Sequence, residues 1–232
     1  MRMAWRPFRR ICMDNSPILF TVRDSIAHCI LNNPPKNEMD TSFFKALNRL
    51  RKETFPTLRV KGMLVYGKGR HFSSGANIRE LTSLCRNTST ANPVPLLKEN
   101  IDTFCFLESL PFPVVAVING CCLGAGLELA LACHYRVASH RAVFSLPEST
   151  YGLMPGCGGT IRLPRLIKKG NAIRLIISGE VISAEDAYRA GLIDVVTEKN
   201  NCTAEAQKLV NRKTSSREIG AAVDKKTGCG ND

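Results

Sequence analysis

The sequence predicts an α/β fold with a mainly parallel sheet, and three observations support that prediction. Apolar and β-branched runs alternate with stretches of helical periodicity along most of the 232 residues. Two of these runs, residues 60–66 and 114–118, are almost entirely apolar, as expected for parallel strands that are covered on both faces. A glycine-containing loop follows each of them and leads into a helical stretch. In such a fold, ligands bind where the strand-to-helix loops converge at the carboxyl ends of the strands.

The length of the chain suits one domain with short appendages. Hydrophobic residues make up 44% of the sequence, and no apolar run approaches the roughly 20 residues that span a bilayer. We predict a basic, disordered leader over residues 1–16, a core domain over residues 17–197 and a short C-terminal helical and tail segment over residues 198–232. The leader prediction depends on four arginines, and no acid, within residues 1–12. A short targeting peptide is the alternative there.

The charge and the cysteines restrict the class of protein further. The net charge of +12 favours polyanionic partners, either nucleic acid or phosphate-bearing cofactors, or it only keeps the chain in solution. Ten cysteines would suit a disulfide framework in a small secreted domain. Here the domain is large and the cysteines lie mainly in apolar runs, so we predict small core residues in a reducing compartment. There is no C-x-x-C pair and no metal-ligand spacing among the four histidines, so no metal site is predicted.

The first part of the chain predicts a hairpin followed by a helix. Residues 18–22 and 26–31 are strand-like runs with a three-residue turn between them. Consecutive prolines at residues 34–35 end the second strand. Asp40 or Thr41 then caps a helix. Its apolar positions follow helical spacing and are Phe43, Phe44, Leu47 and Leu50.

The remaining elements are predicted from hydrophobic periodicity and from the capping, glycine and proline residues at their ends. Helices are predicted at about residues 77–84, 96–110, 127–133, 160–168, 171–178, 183–191 and 203–212, with a strand at residues 193–197. Residues 86–95 predict a mobile loop. The loop at residues 67–78 lacks the G-x-x-x-x-G-K-[ST] pattern, so a Walker phosphate loop is not supported.

Glu128 is the first candidate functional residue, because it stands in an otherwise apolar run, residues 127–133. The run predicts a buried helix, and a glycine-rich turn at residues 120–126 precedes it. A turn of this kind between a strand and a helix points free backbone N–H groups into a cleft. A buried carboxylate is unfavourable unless it is paired, hydrogen-bonded or neutral. Two interpretations therefore stay open: Glu128 acts at a functional site, or it pairs within the core.

Four segments, taken with their order and separation, resemble the crotonase, or enoyl-CoA hydratase/isomerase, superfamily. They read FSSGANIREL (72–81), PVVAVINGCCLGAGLELALACHYRVAS (113–139), FSLPESTYGLMPGCGGTIRLPRLI (144–167) and SGEVISAEDAYRAGLIDVV (178–196). The resemblance extends from about residue 17 to residue 196. It implies a crotonase-type ββα spiral with parallel sheets and flanking helices, here with a shortened C-terminal helical region. It also implies an acyl-CoA thioester as substrate and no permanently bound cofactor, since coenzyme A arrives as part of that substrate.

The resemblance further implies an oxyanion hole, in which two backbone N–H groups stabilise the thioester enolate. These N–H groups fall on Ala76 and Ala125. The second position is more often glycine in the hydratases, but only its amide is used. The family usually has aspartate where Asn77 stands. The implied substrate-binding residues are Ser74, Ala76, Asn77, Ile78, Arg79, Gly124 and Gly156.

The reaction type depends on the acids. Hydratases of this family carry two glutamates twenty residues apart, and Glu128 and Glu148 match both. Isomerases typically keep one of them, or use an aspartate near a P-G-x-G-G turn, and here the turn at residues 155–159 contains no acid. The resemblance therefore favours an enoyl-CoA hydratase that adds water to a trans-2-enoyl-CoA to give a 3-hydroxyacyl-CoA, with Glu128 and Glu148 as the catalytic residues.

Other functions stay open at this point. Within the enzymes, the alternatives are an enoyl-CoA isomerase or another acyl-CoA-transforming member, such as a thioester hydrolase. Outside them, the alternatives are an RNA-binding module and an inactive paralogue. The sequence has no aromatic-interleaved basic motif of the kind that stacks bases, so nucleic acid is not the expected partner.

Two departures from the family pattern affect the expected assembly and structure. His134 stands where many members have aspartate, and we predict a structural role for it at the start of a strand. Only about 40 residues follow Gly191. Trimers or hexamers are typical of the family, and with so short a C-terminus we expect weak or altered oligomerisation. We expect no membrane partner and a cytoplasmic location, or the mitochondrial matrix if the source is eukaryotic.

Overall fold

The computed structural model describes residues 9–10, 16–80 and 94–215. Within these residues, ten strands form two sheets. The strands are β1 (Arg9–Arg10), β2 (Ile18–Arg23), β3 (Ile26–Leu31), β4 (Gly62–Gly67), β5 (Val114–Ile118), β6 (Cys121–Leu123), β7 (Tyr135–Ser139), β8 (Val143–Ser145), β9 (Ile182–Ser183) and β10 (Val195–Thr197).

The larger sheet has seven strands in the order β1-β2-β3-β4-β5-β7-β10. The hairpin of β2 and β3 is antiparallel, with Ile18 opposite Leu31, and its turn places Asp24 and Ser25 at positive φ values of 50° and 63°. Two consecutive positive φ values match the right-handed twist of the flanking strands. From β3 onward every neighbouring pair is parallel. The hairpin and the α/β class with parallel pairing are therefore confirmed.

The smaller sheet was not predicted from the sequence. Its strands β6 and β8 pair in parallel, and β9 joins β8 in antiparallel orientation. The three strands contain only two or three residues each, which is too short to show an alternating pattern. The predicted glycine-rich turn at residues 120–126 thus contains a strand, and this strand leads directly into the helix that carries Glu128.

Seven helices occur in the described residues. They are α1 (Thr41–Glu53), α2 (Val94–Glu108), α3 (Ala125–Ala132), α4 (Gly159–Leu166), α5 (Lys169–Ser178), α6 (Ala184–Arg189) and α7 (Cys202–Ser215). The predicted cap at Asp40 is present, since its side chain accepts from the Phe43 amide, and the side chain of Ser183 likewise caps α6 by accepting from the Asp186 amide. Of the helix predicted at residues 77–84, residues 78–80 are helical, Asn77 precedes the helix and residues 81–84 lie outside the described residues. Of the loop predicted at residues 86–95, residues 86–93 lie outside the described residues, whereas residues 94–95 are helical and the prediction was wrong there.

The core lies on both faces of the larger sheet. On one face, the main cluster joins the sheet to the smaller sheet and to helices α1 to α6. On the opposite face, α7 buries Cys202, Ala206 and Val210 against apolar side chains of the parallel strands, among them Val115 and Val137. The C-terminal helix therefore covers the part of this face formed by β4, β5, β7 and β10. The division of the chain at residue 197 stays a prediction.

At the amino end, the structure differs from the predicted disordered leader at one point. Arg9–Arg10 pair in antiparallel orientation with residues 21–22 of β2, and residues 1–8 and 11–15 lie outside the described residues. Within the described part of the chain, no cysteine forms a disulfide and no cluster of side chains could hold a metal ion. None of the described helices is long and apolar enough to cross a membrane.

Candidate active site

Glu128 lies in the first turn of α3, a helix in which every residue is buried. Its side chain is 1% exposed. One carboxylate oxygen, Oε1, accepts hydrogen bonds from the backbone N–H groups of Cys157 and Gly159, each at 2.7 Å. These two bonds offset the cost of burying the carboxylate and fix its orientation.

The turn that binds Glu128 requires glycine at two successive positions. Gly158 has a φ of +97°, and a Cβ there would come within 2.1 Å of the Arg162 guanidinium. A Cβ on Gly159 would lie 3.0 Å from Oε1 of Glu128. The predicted P-G-x-G-G turn therefore serves as the amide cradle of a buried acid.

Arg162 holds this turn from the other side. The side chain is 4% exposed, its Nη1 donates to the carbonyl oxygen of Cys157 at 2.5 Å, and its Nε lies 2.9 Å from a carboxylate oxygen of Glu108. Cys157 is thus bound by its carbonyl to Arg162 and by its amide to Glu128. The sequence analysis did not identify Arg162. The available signal was an arginine next to Leu163 on the buried face of a short amphipathic helix.

Glu148 lies on a 3-10 turn, Pro147–Tyr151, and has a different environment. Its Oε2 atom is buried, and no group in the described part of the chain forms a hydrogen bond with it. Burial, together with the nearby charge of Glu128, raises the pKa of Glu148 to about 7. Burial also raises the pKa of Glu128, but the amides of Gly159 and Cys157 and the charge of Arg162 oppose that rise.

The loop that contains Ala76 and the start of α3 lie side by side. Ala76 lies opposite Met39 in a short parallel bridge. The hydrogen bonds of this bridge are made by the residues on either side of Ala76: the Met39 amide donates to the carbonyl oxygen of Gly75, and the Asn77 amide donates to the carbonyl oxygen of Met39. In a parallel bridge of this kind, the N–H of Ala76 itself points away from Met39. Ala125 is the first residue of α3, so its N–H has no acceptor within the helix.

The position of Gly75 shows how close these two segments are. A Cβ on Gly75 would lie 2.8 Å from Leu123 O and 3.5 Å from the amide nitrogen of Ala125. Glycine at this position therefore allows the loop and the start of α3 to approach each other closely.

That cavity has a volume of about 250 Å³ and contains most of the residues that the sequence analysis selected. The predicted site residues that line it are Ser74, Ala76, Ile78, Gly124, Ala125, Glu128, Glu148 and Gly156. Asn77 and Arg79 do not. Asn77 instead caps the following helical turn through the amide of Glu80 at 3.2 Å, and the Arg79 side chain is exposed.

Apolar side chains form the rest of the cavity wall. They are Phe44, Leu97, Pro147, Tyr151, Leu153 and Met154, with Asn100 and Cys157 between them. A larger cleft of about 650 Å³ lies among Arg70, His71, His140 and Arg141, but it contains none of the predicted site residues. The smaller cavity is therefore the candidate active site, because it combines two acids, the two predicted oxyanion-hole residues and an apolar wall.

His134 lies outside this cavity and connects two segments of the scaffold. Its Nδ1 accepts from the Val114 amide at 2.9 Å, and its Nε2 lies 2.9 Å from the carbonyl oxygen of Glu108. These contacts fit the predicted structural role, since β7 begins at the next residue.

Comparison with known proteins identifies related sequences. A sequence model of the family described as enoyl-CoA hydratase/isomerase matches residues 21–227. The chain is 36% identical over 178 residues to a Bacillus subtilis (strain 168) protein named "Probable enoyl-CoA hydratase", and the match covers 77% of this chain and 68% of that protein. It is 38% identical over 201 residues to the peroxisomal bifunctional enzyme of Danio rerio, where it covers 85% of this chain and spans only 27% of the relative's length.

Solved structures give the same result for the fold. An enoyl-CoA hydratase from Bacillus anthracis is similar with a TM-score of 0.74 at 28% identity, over 95% of this chain and 81% of that one. The DspI protein of Pseudomonas aeruginosa is similar with a TM-score of 0.79 at 28% identity, over 93% and 87% of the two chains. Both likenesses extend over nearly the whole chain, as does the family match, and they confirm the predicted crotonase fold. The chain therefore belongs to the enoyl-CoA hydratase/isomerase family of the crotonase superfamily.

Proposed function

We propose that the chain is an enoyl-CoA hydratase that adds water to a trans-2-enoyl-CoA and forms a 3-hydroxyacyl-CoA. The observation that carries this proposal is the pair Glu128 and Glu148, which line one cavity together with Ala76 and Ala125. Hydration needs one group that takes a proton from water and one that gives a proton to carbon. The acids supply both, and the amides supply the site for the developing charge.

The environments of the two acids differ, and this difference suggests which one acts as the base and which one donates the proton. Glu128 accepts two backbone N–H bonds, which favour its ionised form, so we assign it as the base. Glu148 has a pKa raised to about 7 and lacks a described partner at Oε2, so we assign its protonated form as the acid.

The reaction then balances as follows. The oxygen of a water molecule bonds to the β-carbon while Glu128 takes one of its protons. The electron pair of the double bond moves toward the thioester carbonyl, whose oxygen gains negative charge and is bound by the N–H groups of Ala76 and Ala125. The α-carbon takes the proton of Glu148 as the carbonyl reforms. Glu128 ends protonated and Glu148 ionised, and exchange with solvent restores both.

Incorporation of solvent oxygen tests this proposal. Crotonyl-CoA incubated with the protein in water enriched in the heavy oxygen isotope should yield 3-hydroxybutyryl-CoA with the label at the β-carbon. Heat-inactivated protein serves as the blank. An isomerase would move a double bond without taking up label, and a thioester hydrolase would release a labelled carboxylic acid. Either of those products, without the labelled hydroxyacyl thioester, would reject the hydratase assignment.

The partners follow from the same chemistry. We propose an acyl-CoA thioester as the substrate and no permanent cofactor. Nucleic acid is not a proposed partner, because the residues that line the cavity fit an acyl thioester. A cytoplasmic location and a weakened trimer or hexamer stay predictions.

A further inference from the structure

Three buried polar side chains lie where α1 packs against α2, next to the apolar wall of the cavity. They are Asn48 of α1 and Asn100 and Thr103 of α2, which are 5%, 6% and 1% exposed. Polar groups in such a contact are unfavourable unless they are hydrogen-bonded. The question is therefore where their donors and acceptors find partners.

The hydrogen bonds among these side chains leave a donor at one end. The Thr103 hydroxyl lies within hydrogen-bond reach of both Oδ1 of Asn48 and the carbonyl oxygen of Glu99, and Nδ2 of Asn48 donates to Oδ1 of Asn100 at 3.3 Å. In this arrangement, Oδ1 of Asn100 faces Asn48. The opposite end, Nδ2 of Asn100, has no hydrogen-bond acceptor among the residues that the structure describes.

Asn100 also lines the candidate active-site cavity. Its neighbours along that wall are apolar, and they include Phe44, Leu97 and Met154. A hydrocarbon chain in this pocket would bury the free N–H groups of Asn100 without a partner, which weakens binding. A chain with an oxygen atom at that depth would accept a hydrogen bond from them.

The charges around the cavity restrict the kind of oxygen. The described lining contains two acids, Glu128 and Glu148, and no lysine, arginine or histidine. A carboxylate on the acyl chain would be repelled by the ionised acid and would have no counter-ion. A neutral acceptor, either a hydroxyl or a ketone, satisfies the amide without that penalty.

We propose that the acyl pocket selects enoyl thioesters whose chain carries a hydroxyl or ketone beyond the double bond, held by the side-chain amide of Asn100. The kinetic test of this inference rests on the proposed hydratase function. The selectivity itself is a difference in binding affinity between acyl chains. A site that is built to hydrogen-bond a substrate oxygen discriminates against the analogue that lacks it, because its own polar group is then left unpaired.

The first experiment compares matched chains with the unmodified protein. The plain substrate is trans-2-hexenoyl-CoA, and its partners carry a hydroxyl at carbon 4, 5 or 6, a ketone at carbon 5, or a terminal carboxylate. At one of the three positions, kcat/KM for the neutral oxygenated chain should exceed that for the plain chain by about tenfold or more. The carboxylate chain should gain no such advantage.

Asn100→Leu supplies the matched variant, because leucine keeps the number and branching of the heavy atoms and removes the amide. The preference for the oxygenated chain should be lost or reversed. Leu97→Ala is the control on the same helix and the same wall, and it should change kcat/KM of both chains by a similar factor. Calorimetry with saturated acyl-CoAs, plain and oxygenated, measures the same preference in the unmodified protein without catalysis or substitution.

The outcomes separate this inference from the proposed function. Tighter binding of oxygenated saturated chains without any hydration would reject the hydratase assignment and keep the selectivity. Hydration of plain and oxygenated chains with equal kcat/KM at every position, together with equal binding, would overturn the selectivity and leave Asn100 as part of the helix contact alone. Equal binding without hydration would reject both.

Discussion

At the scale of single residues, the two acids of the cavity are chemically different although they are the same amino acid. Glu128 has two amide donors on one oxygen, whereas Glu148 has a buried oxygen without a described partner. Environment, not residue type, therefore assigns base and acid. This difference yields two predictions about variants and pH.

Replacement of either acid by glutamine should slow hydration by about 10²- to 10⁴-fold, since glutamine keeps the shape and cannot transfer a proton. Both acids act on the same addition, so the double variant should be little slower than the poorer single variant. Turnover of crotonyl-CoA by Glu128→Gln, Glu148→Gln and the double variant measures this. If one single variant keeps most of its activity, a one-acid isomerase mechanism replaces the proposed one.

The pH dependence should report the proton on Glu148. Its pKa is raised from 4.5 to about 7, so the protonated form that donates to carbon is lost as the pH rises through 7. We expect kcat/KM for hydration to fall by about tenfold per pH unit above that point. Glu148→Gln should remove this limb from the profile. A flat profile in the unmodified enzyme up to pH 9 would contradict the assignment of Glu148 as the acid.

The same pKa shift should appear in stability, independently of catalysis. The folded protein holds the Glu148 proton up to about pH 7, whereas the unfolded chain loses it near 4.5. Protonated Glu148 therefore contributes to the free energy of unfolding at low pH, and this contribution is lost as the pH rises from 4.5 through 7. After allowance for partial solvent exposure, the loss should be roughly 1 to 3 kcal/mol. Urea unfolding at pH 5 and pH 8 should show a smaller difference for Glu148→Gln than for the unmodified protein.

The residue scale also shows what the sequence could not reveal. Glu128 and Glu148 were identified because their spacing is part of a local pattern. Arg162 and Asn100 were not, because their roles depend on contacts with residues such as Glu108 and Asn48 that lie on other helices. Periodicity and motifs report neighbours along the chain, whereas buried polar networks join elements that are distant in sequence.

At the scale of elements, the site depends on where helices begin. The start of α3 provides the amide of Ala125, and the start of α4 provides the amide of Gly159 for Glu128. The sequence analysis placed α3 two residues too late, because the short strand β6 and the glycines before it hide the helix start. Periodicity therefore did not place Ala125 at the start of the helix, and its amide was selected only through the family resemblance.

Ala125→Pro tests the amide at the start of α3. Proline is tolerated at the first position of a helix, and it removes the N–H group. The chemical step should slow by about 100-fold or more, since one of two oxyanion donors is lost. Ala125→Gly keeps the N–H group and is the control, with a much smaller effect expected. Circular dichroism establishes that both variants are folded, and unchanged turnover in folded Ala125→Pro would remove this amide from the oxyanion hole.

At the scale of the whole molecule, the α/β class and the hairpin were predictable because hydrophobic periodicity sets them. The small sheet and the packing of α7 were not. α7 lies about 140 residues from β4 in sequence, yet Val210 of α7 packs directly over Gly62 of β4. The C-terminal segment, which has the composition of a surface helix, therefore completes one face of the core.

A double-mutant cycle between Gly62 and Val210 measures the energetic coupling between the C-terminal helix and the sheet. A Cβ on Gly62 would lie 2.6 Å and 2.9 Å from the two methyl carbons of Val210, so Gly62→Ala should destabilise the protein by about 1 to 3 kcal/mol through overpacking. Val210→Ala removes both methyl groups and should recover part of that loss when the two substitutions are combined. The coupling energy from urea unfolding should then be about 0.5 kcal/mol or more. Gly62→Ala combined with Thr203→Ala, at an exposed position of the same helix, should be additive. If the changes in unfolding free energy for Gly62→Ala and Val210→Ala are also additive, α7 does not pack against Gly62 in solution. Other residues would then cover this part of the sheet.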